Sequence, residues 1–296
     1  MLTALFIEWE FNPVLVEIGG FEIRYYGLMW ALTIFLAAKM FDTFCRREGL
    51  AQSISESFFV YGTLGTILGS RIGHCIFYEP ERYLVRPWEI ITAIREGGMA
   101  SHGAAIGLLV GIWLFSRRNK MPYVWGLDRV MIPVGLGGAL IRLGNLFNSE
   151  IYGAATDLPW AFKFYHWAKR PIMEGTQVVG HEWVTTSASL PSHPTQLYEA
   201  AFYMMSFFVL CWMYRRKMGE KYPGMMLGVG LIFTFFTRII IEFIKNDQEA
   251  FEQDMMLNMG QWLSIPFVIG AICLIWYSAK HPVEQSLKQP SNKKCK

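Results

Sequence analysis

Seven apolar runs, each about as long as a membrane-spanning helix, constrain this chain more than any other feature. They lie at about 25–44, 57–78, 98–116, 129–149, 195–214, 224–244 and 258–279. A helix needs about 20 apolar residues to cross the hydrocarbon core of a bilayer. With 53% hydrophobic and 17% charged residues, the chain is too apolar for an ordinary soluble domain. The sequence therefore predicts an all-α integral membrane protein, in which residues 1–296 form a single domain of seven transmembrane helices.

The charges between these runs alternate in sign along the chain. Basic residues follow the first, third, fifth and seventh runs: Arg46, Arg47, Arg117, Arg118, Lys120, Arg215, Arg216, Lys217, Lys221, Lys280, Lys288, Lys293, Lys294 and Lys296. Acidic residues follow the second and sixth runs: Glu79, Glu81, Glu89, Glu96, Asp247, Glu249, Glu252 and Asp254. Cytoplasmic loops of membrane proteins are enriched in Lys and Arg. This pattern predicts an N-terminus outside the cell and a C-terminus in the cytoplasm.

Two loops on the predicted outer side are long enough to have structure of their own. We predict that residues 150–192 form a small external head inserted in the domain. Within it, Thr176–Ser187 has strand character, with a turn at Gly180. The loop 79–96 has two interpretations, an amphipathic arm lying on the bilayer or a plain solvated connector.

The stretch Gly135–Gly153 combines an apolar, glycine-rich run with polar side chains. These side chains include Arg142, Asn145, Asn148 and Glu150. An arginine at membrane depth costs roughly 3 kcal/mol on insertion scales and usually marks a functional site. A fixed guanidinium beside two amides is a good receptor for a phosphate. The alternative is an arginine that snorkels to the interface near a polar helix end.

Two further runs carry polar groups at helical spacing. In the sixth run Thr234, Arg238, Glu242 and Lys245 follow one stripe, and the i,i+4 pair Arg238–Glu242 predicts an intramembrane ion pair. At the start of the fifth run, Pro194 suits a first helical turn with His193 as the cap, and Gln196 and Glu199 share one face. We expect Gln196 and Glu199 to orient the arginines. A capped helix start with a purely structural glutamate is the simpler alternative.

Three residues of the first three runs are further candidates. Tyr26 could hydrogen-bond a lipid headgroup or belong to an interfacial aromatic belt. Arg71 could contact a headgroup or pair with Glu79. His102 opens the third run, where a histidine is either a polar cap or a proton acceptor, since its ordinary pKa is near 6.5. The glycines spaced by four residues in the second and third runs, Gly65, Gly69, Gly73, Gly103, Gly107 and Gly111, predict close packing of two helices.

These motifs resemble those of the bacterial prolipoprotein diacylglyceryl transferases. Residues 142–150 read RLGNLFNSE, against the family's Arg-Leu-Gly-Asn-Phe-x-Asn-Gly-Glu-like run, so that Leu146 and Ser149 differ from the commoner residues. Residues 26–29 (YGLM), 70–73 (SRIG), 192–199 (SHPTQLYE) and 238–243 (RIIIEF) also match family elements. His102-Gly103-Ala104 stands for a His-Gly-Gly, while Thr234 and Lys245 replace the more usual Tyr and Arg.

The resemblance implies an activity and a location. The enzyme would transfer the sn-1,2-diacylglyceryl group of phosphatidylglycerol to the lipobox Cys of a preprolipoprotein in the bacterial inner membrane. The products would be a thioether and glycerol 1-phosphate. It implies that Arg142 and Arg238 stabilise the leaving phosphate, that Asn145 positions the headgroup and that His102 receives the thiol proton. Tyr26 and Arg71 would contribute to substrate binding, and Asn148, Glu150, His193, Gln196, Glu199 and Glu242 would support the site.

The residues themselves leave a second class of function open. A transporter or flippase for an anionic lipid or solute would use the same arginines without making bonds. The sequence has no evident inverted repeat, and the polar groups gather toward one side, which favours the enzyme. No metal-ligand spacing is present, and we expect neither a metal, nor a cofactor, nor a nucleic-acid partner.

Overall fold

The computed structural model describes residues 6–92, 98, 100–174, 177–245 and 257–283. Seven long helices match the seven predicted runs to within six residues at each end. They are α1 (Tyr25–Arg47), α2 (Gln52–Phe77), α5 (Ser101–Asn119), α6 (Tyr123–Phe147), α7 (Thr195–Arg215), α9 (Met225–Glu242) and α10 (Met259–Lys280). The short helices are α3 (Pro80–Val85), α4 (Glu89–Thr92) and α8 (Met218–Lys221). The strands are β1 (Ile7–Trp9), β2 (Val14–Ile18), β3 (Phe21–Arg24), β4 (Phe162–Glu174) and β5 (Gln177–Ala188).

Five of the long helices have the length and apolar composition needed to cross a membrane. These are α1, α6, α7, α9 and α10. The other two, α2 and α5, are the glycine-rich pair, and glycine adds little hydropathy. The fold is therefore that of a mostly helical, multi-pass integral membrane protein, and the count of seven spans stays a prediction.

Helices α2 and α5 pack backbone against backbone along their glycines. A Cβ added to Gly69 would lie 2.4 Å from the carbonyl oxygen of Gly103, and one added to Gly65 would lie 2.3 Å from that of Gly107. Real Cβ atoms do not approach so closely, so only glycine permits this contact. The close packing predicted from the four-residue spacing is confirmed.

Among the described residues, the larger apolar core lies where α1, α2 and α5 meet the N-terminal half of α6, the C-terminal half of α7 and the N-terminal end of α9. Phe41 stacks on Phe58 there, with ring centroids 3.5 Å apart. Buried charges are embedded in this core. Arg129 Nε lies 3.1 Å from Glu48 Oε1, and the carboxylate of Asp128 accepts hydrogen bonds of 2.8 Å from the backbone N–H groups of Gly224 and Leu227. Asp128 thereby caps α9 from a neighbouring helix.

The five strands correct the prediction of an all-α fold. Strands β1, β4 and β5 form one sheet, parallel between β1 and β4 and antiparallel between β4 and β5, and β2 pairs with β3. The strand predicted at Thr176–Ser187 is confirmed by β5 over residues 177–187. Thr176 lies outside the described residues. The turn predicted at Gly180 is wrong, because Gly180 lies inside β5 opposite Ile172.

The sheet is attached to the end of α6 through Trp9. Its indole N–H donates a 2.9 Å hydrogen bond to the carbonyl of Leu146, and its ring lies near those of Phe11 and Phe147. This contact joins the strands directly to the helix that carries Arg142.

The loop after α2 contains two short helices, α3 and α4, held by Arg71. The Arg71 guanidinium is buried and donates to the carbonyls of Glu89 and Ile90 and to the hydroxyl of Tyr83, at 2.9–3.2 Å. The outward face is apolar, since Leu84 and Ile91 are more than three-quarters exposed. These features favour the amphipathic arm over the plain connector; residues 93–96 lie outside the described part of the chain.

Ion pairs on the arm stabilise its turns. Glu79 lies 3.3 Å from both His74 and Arg82. Arg82 also donates a 2.7 Å hydrogen bond to Glu89, and this bond is the main reason why the pKa of the Glu89 carboxyl lies below its ordinary value.

Candidate active site

The polar end of α6 forms a connected group of side chains. Arg142 Nη1 donates to Asn145 Oδ1 at 3.3 Å, and Asn145 Nδ2 donates to Glu150 Oε1 at 2.8 Å. Asn148 donates to the same Glu150 oxygen at 3.2 Å. Glu150 therefore fixes both amides, and Asn145 in turn fixes the guanidinium of Arg142.

Helix α6 ends at Phe147, two residues before the end of the predicted run. Ser149 then adopts a left-handed backbone with φ of 54°. Such a conformation favours glycine, which accounts physically for the commoner family residue at this position. It also brings Glu150 back toward Asn145 instead of letting it continue along the helix.

Helix α7 supplies the carboxylate that faces Arg142. Glu199 Oε2 pairs with Arg142 Nε, and Glu199 Oε1 lies 2.7 Å from Lys245 Nζ. The Glu199 side chain is only 6% exposed, so its charge is balanced by these two cations. Helix α7 begins at Thr195 with Pro194 as its N-cap, so the prediction of His193 as the cap was wrong by one residue.

Backbone contacts lock the start of α7 against the segment after α6. Gln196 Nε2 donates to the carbonyl of Glu150 at 2.6 Å. The Gly153 N–H donates to the carbonyl of His193 at 2.8 Å, and the His193 ring lies 3.4 Å from the hydroxyl of Tyr198. Gly153 also pairs as an isolated bridge with Lys245. Within this arrangement Gln196 supports Glu150; the contact to an arginine comes from Glu199.

Helix α9 carries the second arginine. Arg238 Nε lies 3.5 Å from Glu242 Oε1, which gives the ion pair expected from the i,i+4 spacing. Glu242 is held from behind by Asn258, which donates to Oε2 at 3.1 Å. The helix ends at Glu242, so Lys245 reaches Glu199 from the following turn and does not continue the predicted stripe.

Tyr203 lies near both arginines. The charges of Arg142, Glu199 and Arg238 all act on its hydroxyl. Its ring packs on Gly138, where an added Cβ would lie 2.9 Å from two ring carbons. Tyr203 was not among the site residues predicted from the sequence. Gly138, one turn before Arg142, is the sequence signal for a closely packed partner at this position.

The other candidates lie at different distances from this group. Tyr26 packs against Gly144, which lies two residues after Arg142 and toward the other side of α6, with its Cδ2 2.8 Å from an added Cβ. Arg71 is engaged by the arm. His102 is exposed at the start of α5, and among the described residues it makes no hydrogen bond or ion pair with the Arg142 group.

Burial separates the two signs of charge in this site. The Glu199 and Glu242 carboxylates are each 6% exposed, whereas the side chains of Arg142 and Arg238 are 22% and 47% exposed. The carboxylates thus lie behind the guanidinium groups, whose open faces remain available. Such a pair of guanidinium groups can bind an anion bidentately and stabilise negative charge that develops on it.

Taken together, the fold and the site define a multi-pass membrane protein with an anion-binding polar centre, built where α6 and α9 end and α7 begins. Residues 13–277 match the family model described as prolipoprotein diacylglyceryl transferase. The chain belongs to this family, and it is accordingly a transferase.

Curated relatives agree over almost the full length. A protein of Porphyromonas gingivalis named phosphatidylglycerol–prolipoprotein diacylglyceryl transferase is 40% identical over 294 residues, covering 97% of this chain and 100% of the relative. Proteins with the same name from Bacteroides fragilis and Chloroherpeton thalassium are 37% and 39% identical, over 95% of this chain and 98% and 97% of their own. Membership in a family of transferases favours the enzyme over the transporter or flippase.

Proposed function

We propose that this chain transfers the diacylglyceryl group of phosphatidylglycerol to the lipobox Cys thiol of a preprolipoprotein. A thioether forms, and glycerol 1-phosphate is released. The observation that carries this proposal is the pair of accessible guanidinium groups beside Tyr203, with their carboxylates buried behind them. The names of the curated relatives supply the two substrates.

The charge balance of the reaction explains why two arginines are needed. The Cys thiolate forms a bond to the sn-3 carbon of the diacylglyceryl group, and the bond between this carbon and its phosphate ester oxygen breaks with the electrons staying on the oxygen. The phosphate changes from a diester with one negative charge to a monoester with up to two. Arg142 and Arg238 stabilise the charge that grows in the transition state more than the charge already present in the ground state.

Asn145 acts through Arg142 in this scheme. It is 3% exposed, with its oxygen bound to Arg142 and its nitrogen bound to Glu150, so its side chain fixes the guanidinium that meets the headgroup. Tyr26, on the neighbouring α1, would hydrogen-bond the headgroup from the side of Gly144. Arg71 would contribute to binding by holding the arm.

His102 receives the proton of the Cys thiol when substrate is bound. Its exposed position at the start of α5 leaves it open to an incoming peptide. A thiol with an ordinary pKa near 8.5 is mostly protonated at neutral pH, so the reaction needs either a base or nearby cations that lower this pKa.

The enzyme would lie in the bacterial inner membrane as a single domain of seven spans, with residues 150–192 as an external head. The N-terminus would be outside and the C-terminus in the cytoplasm. A membrane-impermeant thiol reagent should then label intact cells through a Cys placed at Glu182, which is exposed on β5, and not through one at Lys120. The reverse labelling pattern would contradict this orientation.

An assay of thioether formation by the purified protein tests the activity directly. The purified protein, supplied with phosphatidylglycerol and a lipobox peptide, should yield the thioether peptide and glycerol phosphate in equal amounts. Arg142→Ala and Arg238→Ala should each lower the rate by about 10²–10³, which is typical for removing one donor to a developing anion. Arg46→Ala is the matched control, because Arg46 is exposed and pairs with Asp42 at the far end of α1. Lipid movement without product would support the transporter instead.

A further inference from the structure

Lys245 occupies a position in the site that the sequence did not predict. It follows the end of α9, where the carbonyl of the preceding Ile244 accepts a 2.9 Å hydrogen bond from the Ala154 N–H. Its own backbone bridges to Gly153. The Lys245 side chain is 7% exposed, and its Nζ lies 2.7 Å from Glu199 Oε1. A lysine buried to this degree is rare unless it is paired.

The same carboxylate serves two cations through different oxygens. Glu199 Oε1 faces Lys245, and Oε2 faces Arg142. One negative charge is therefore divided between two positive charges, and the three groups together carry a net charge of one positive. Without Lys245, both Glu199 oxygens could form a forked pair with the guanidinium of Arg142, which would be neutralised.

We propose that Lys245 is a positioning residue that keeps the charge of Arg142 available for the lipid phosphate, by binding one of the two Glu199 carboxylate oxygens. The inference rests on the proposed role of Arg142 in binding phosphatidylglycerol. The proposal also gives Glu199 a role. One Glu199 oxygen fixes the position of Arg142, and Lys245 prevents the second oxygen from pairing with Arg142 as well and neutralising its charge.

Lys245→Met tests this directly in the phosphatidylglycerol and lipobox-peptide assay. In metal sites, residues that orient the ligands typically matter by about 10–100-fold, and we take the lower end of this scale for Lys245. We expect kcat/KM for phosphatidylglycerol to fall by at least about tenfold, and Lys245→Arg to retain most of it because the charge is kept. Lys169→Met is the matched control, since Lys169 of β4 also bridges two carboxylates, Glu17 of β2 and Glu22 of β3, away from the site.

The decisive comparison is the double variant Lys245→Met/Glu199→Gln. If Lys245 acts by charge balance, removing the carboxylate charge as well should recover activity relative to Lys245→Met alone. If Lys245 only holds the fold together, the second substitution should lower activity further, and the inference is overturned. Lys245→Gln replaces Lys245→Met in both comparisons if the methionine variant does not fold.

Failure of the inference and failure of the proposed function give different results. A wild-type protein that makes no thioether product contradicts the function itself. A wild-type protein that is active, with a Lys245→Met variant equally active, contradicts only the role of Lys245.

Discussion

Alanine at Gly153 should disable the enzyme through a displacement of known size. An added Cβ would lie 2.5 Å from the carbonyl oxygen of Ile244, 2.7 Å from Thr195 Cγ2 and 2.9 Å from His193 Cβ. An ordinary contact begins near 3.4 Å, so the carbonyl must move away by about 0.9 Å. The backbone of Gly153 lies outside the left-handed region, so alanine adds bulk without backbone strain.

That displacement acts directly on the site. Ile244 precedes Lys245, and Gly153 follows Glu150 by three residues, so the shift changes the placement of both charged groups. A misplacement of about 1 Å in a catalytic arrangement can cost about 100-fold in rate. We expect kcat/KM to fall by about that factor in the thioether assay while the protein still inserts and purifies as a single species.

Gly180→Ala is the control for this experiment. Gly180 lies in β5, and its added Cβ would meet only the side chain of Ile172, at an ordinary 3.6 Å. Its activity should match that of the wild type. If Gly153→Ala retained activity within about threefold of the wild type, which is under 1 kcal/mol, the packing around Gly153 could not be what holds Glu150 and Lys245 in place.

Three further substitutions test other parts of the fold. Gly69→Ala should lower the thermal midpoint in detergent, because the new Cβ would lie 2.4 Å from the Gly103 carbonyl oxygen. We expect the free energy of unfolding to fall by about 1–3 kcal/mol. An unchanged midpoint would contradict the backbone contact between α2 and α5. Ser149→Gly should raise the thermal midpoint slightly and leave activity intact. The left-handed backbone of Ser149 costs about 1 kcal/mol, which glycine avoids, and the greater backbone entropy that glycine loses on folding costs less than this. A lower midpoint would show that the serine is not strained. Glu89→Gln should increase hydrogen exchange on the arm at neutral pH, and acid should do the same to the wild type. The hydrogen bond from Arg82 lowers the pKa of Glu89 from 4.5. The stability that the Glu89 carboxylate gives the arm is therefore present above pH 4.5 and is lost as the pH falls through the lowered pKa. Equal exchange in Glu89→Gln and the wild type would contradict this role.

The helices were predictable because each depends on a local property of the chain. Apolar runs of spanning length located all seven long helices, and the four-residue glycine spacing was sufficient to predict how α2 and α5 meet. The Arg238–Glu242 pair was equally local, since one helical turn brings the two side chains together.

The remaining parts depend on contacts between distant segments. Lys245 meets Glu199 across 46 positions of sequence, from a turn whose direction no local pattern defines. Arg71 could be recognised as unusual, but its partners are carbonyls of a loop, and the sequence does not show where a backbone carbonyl will lie. Gly180 was predicted to be a turn because glycine commonly is; pairing with Ile172 kept it in the strand.

The cap that Asp128 places on α9 sets the levels of the two arginines relative to each other. Arg142 lies 14 residues beyond Asp128 on α6, a rise of about 21 Å, and Arg238 lies 11 residues beyond Leu227 on α9, a rise of about 17 Å. The two guanidinium groups therefore come to within about one helical turn of the same level. The Asp128 carboxylate is thus a common reference point for α6 and α9, and the relative heights of the two cations at the other end of these helices follow from it.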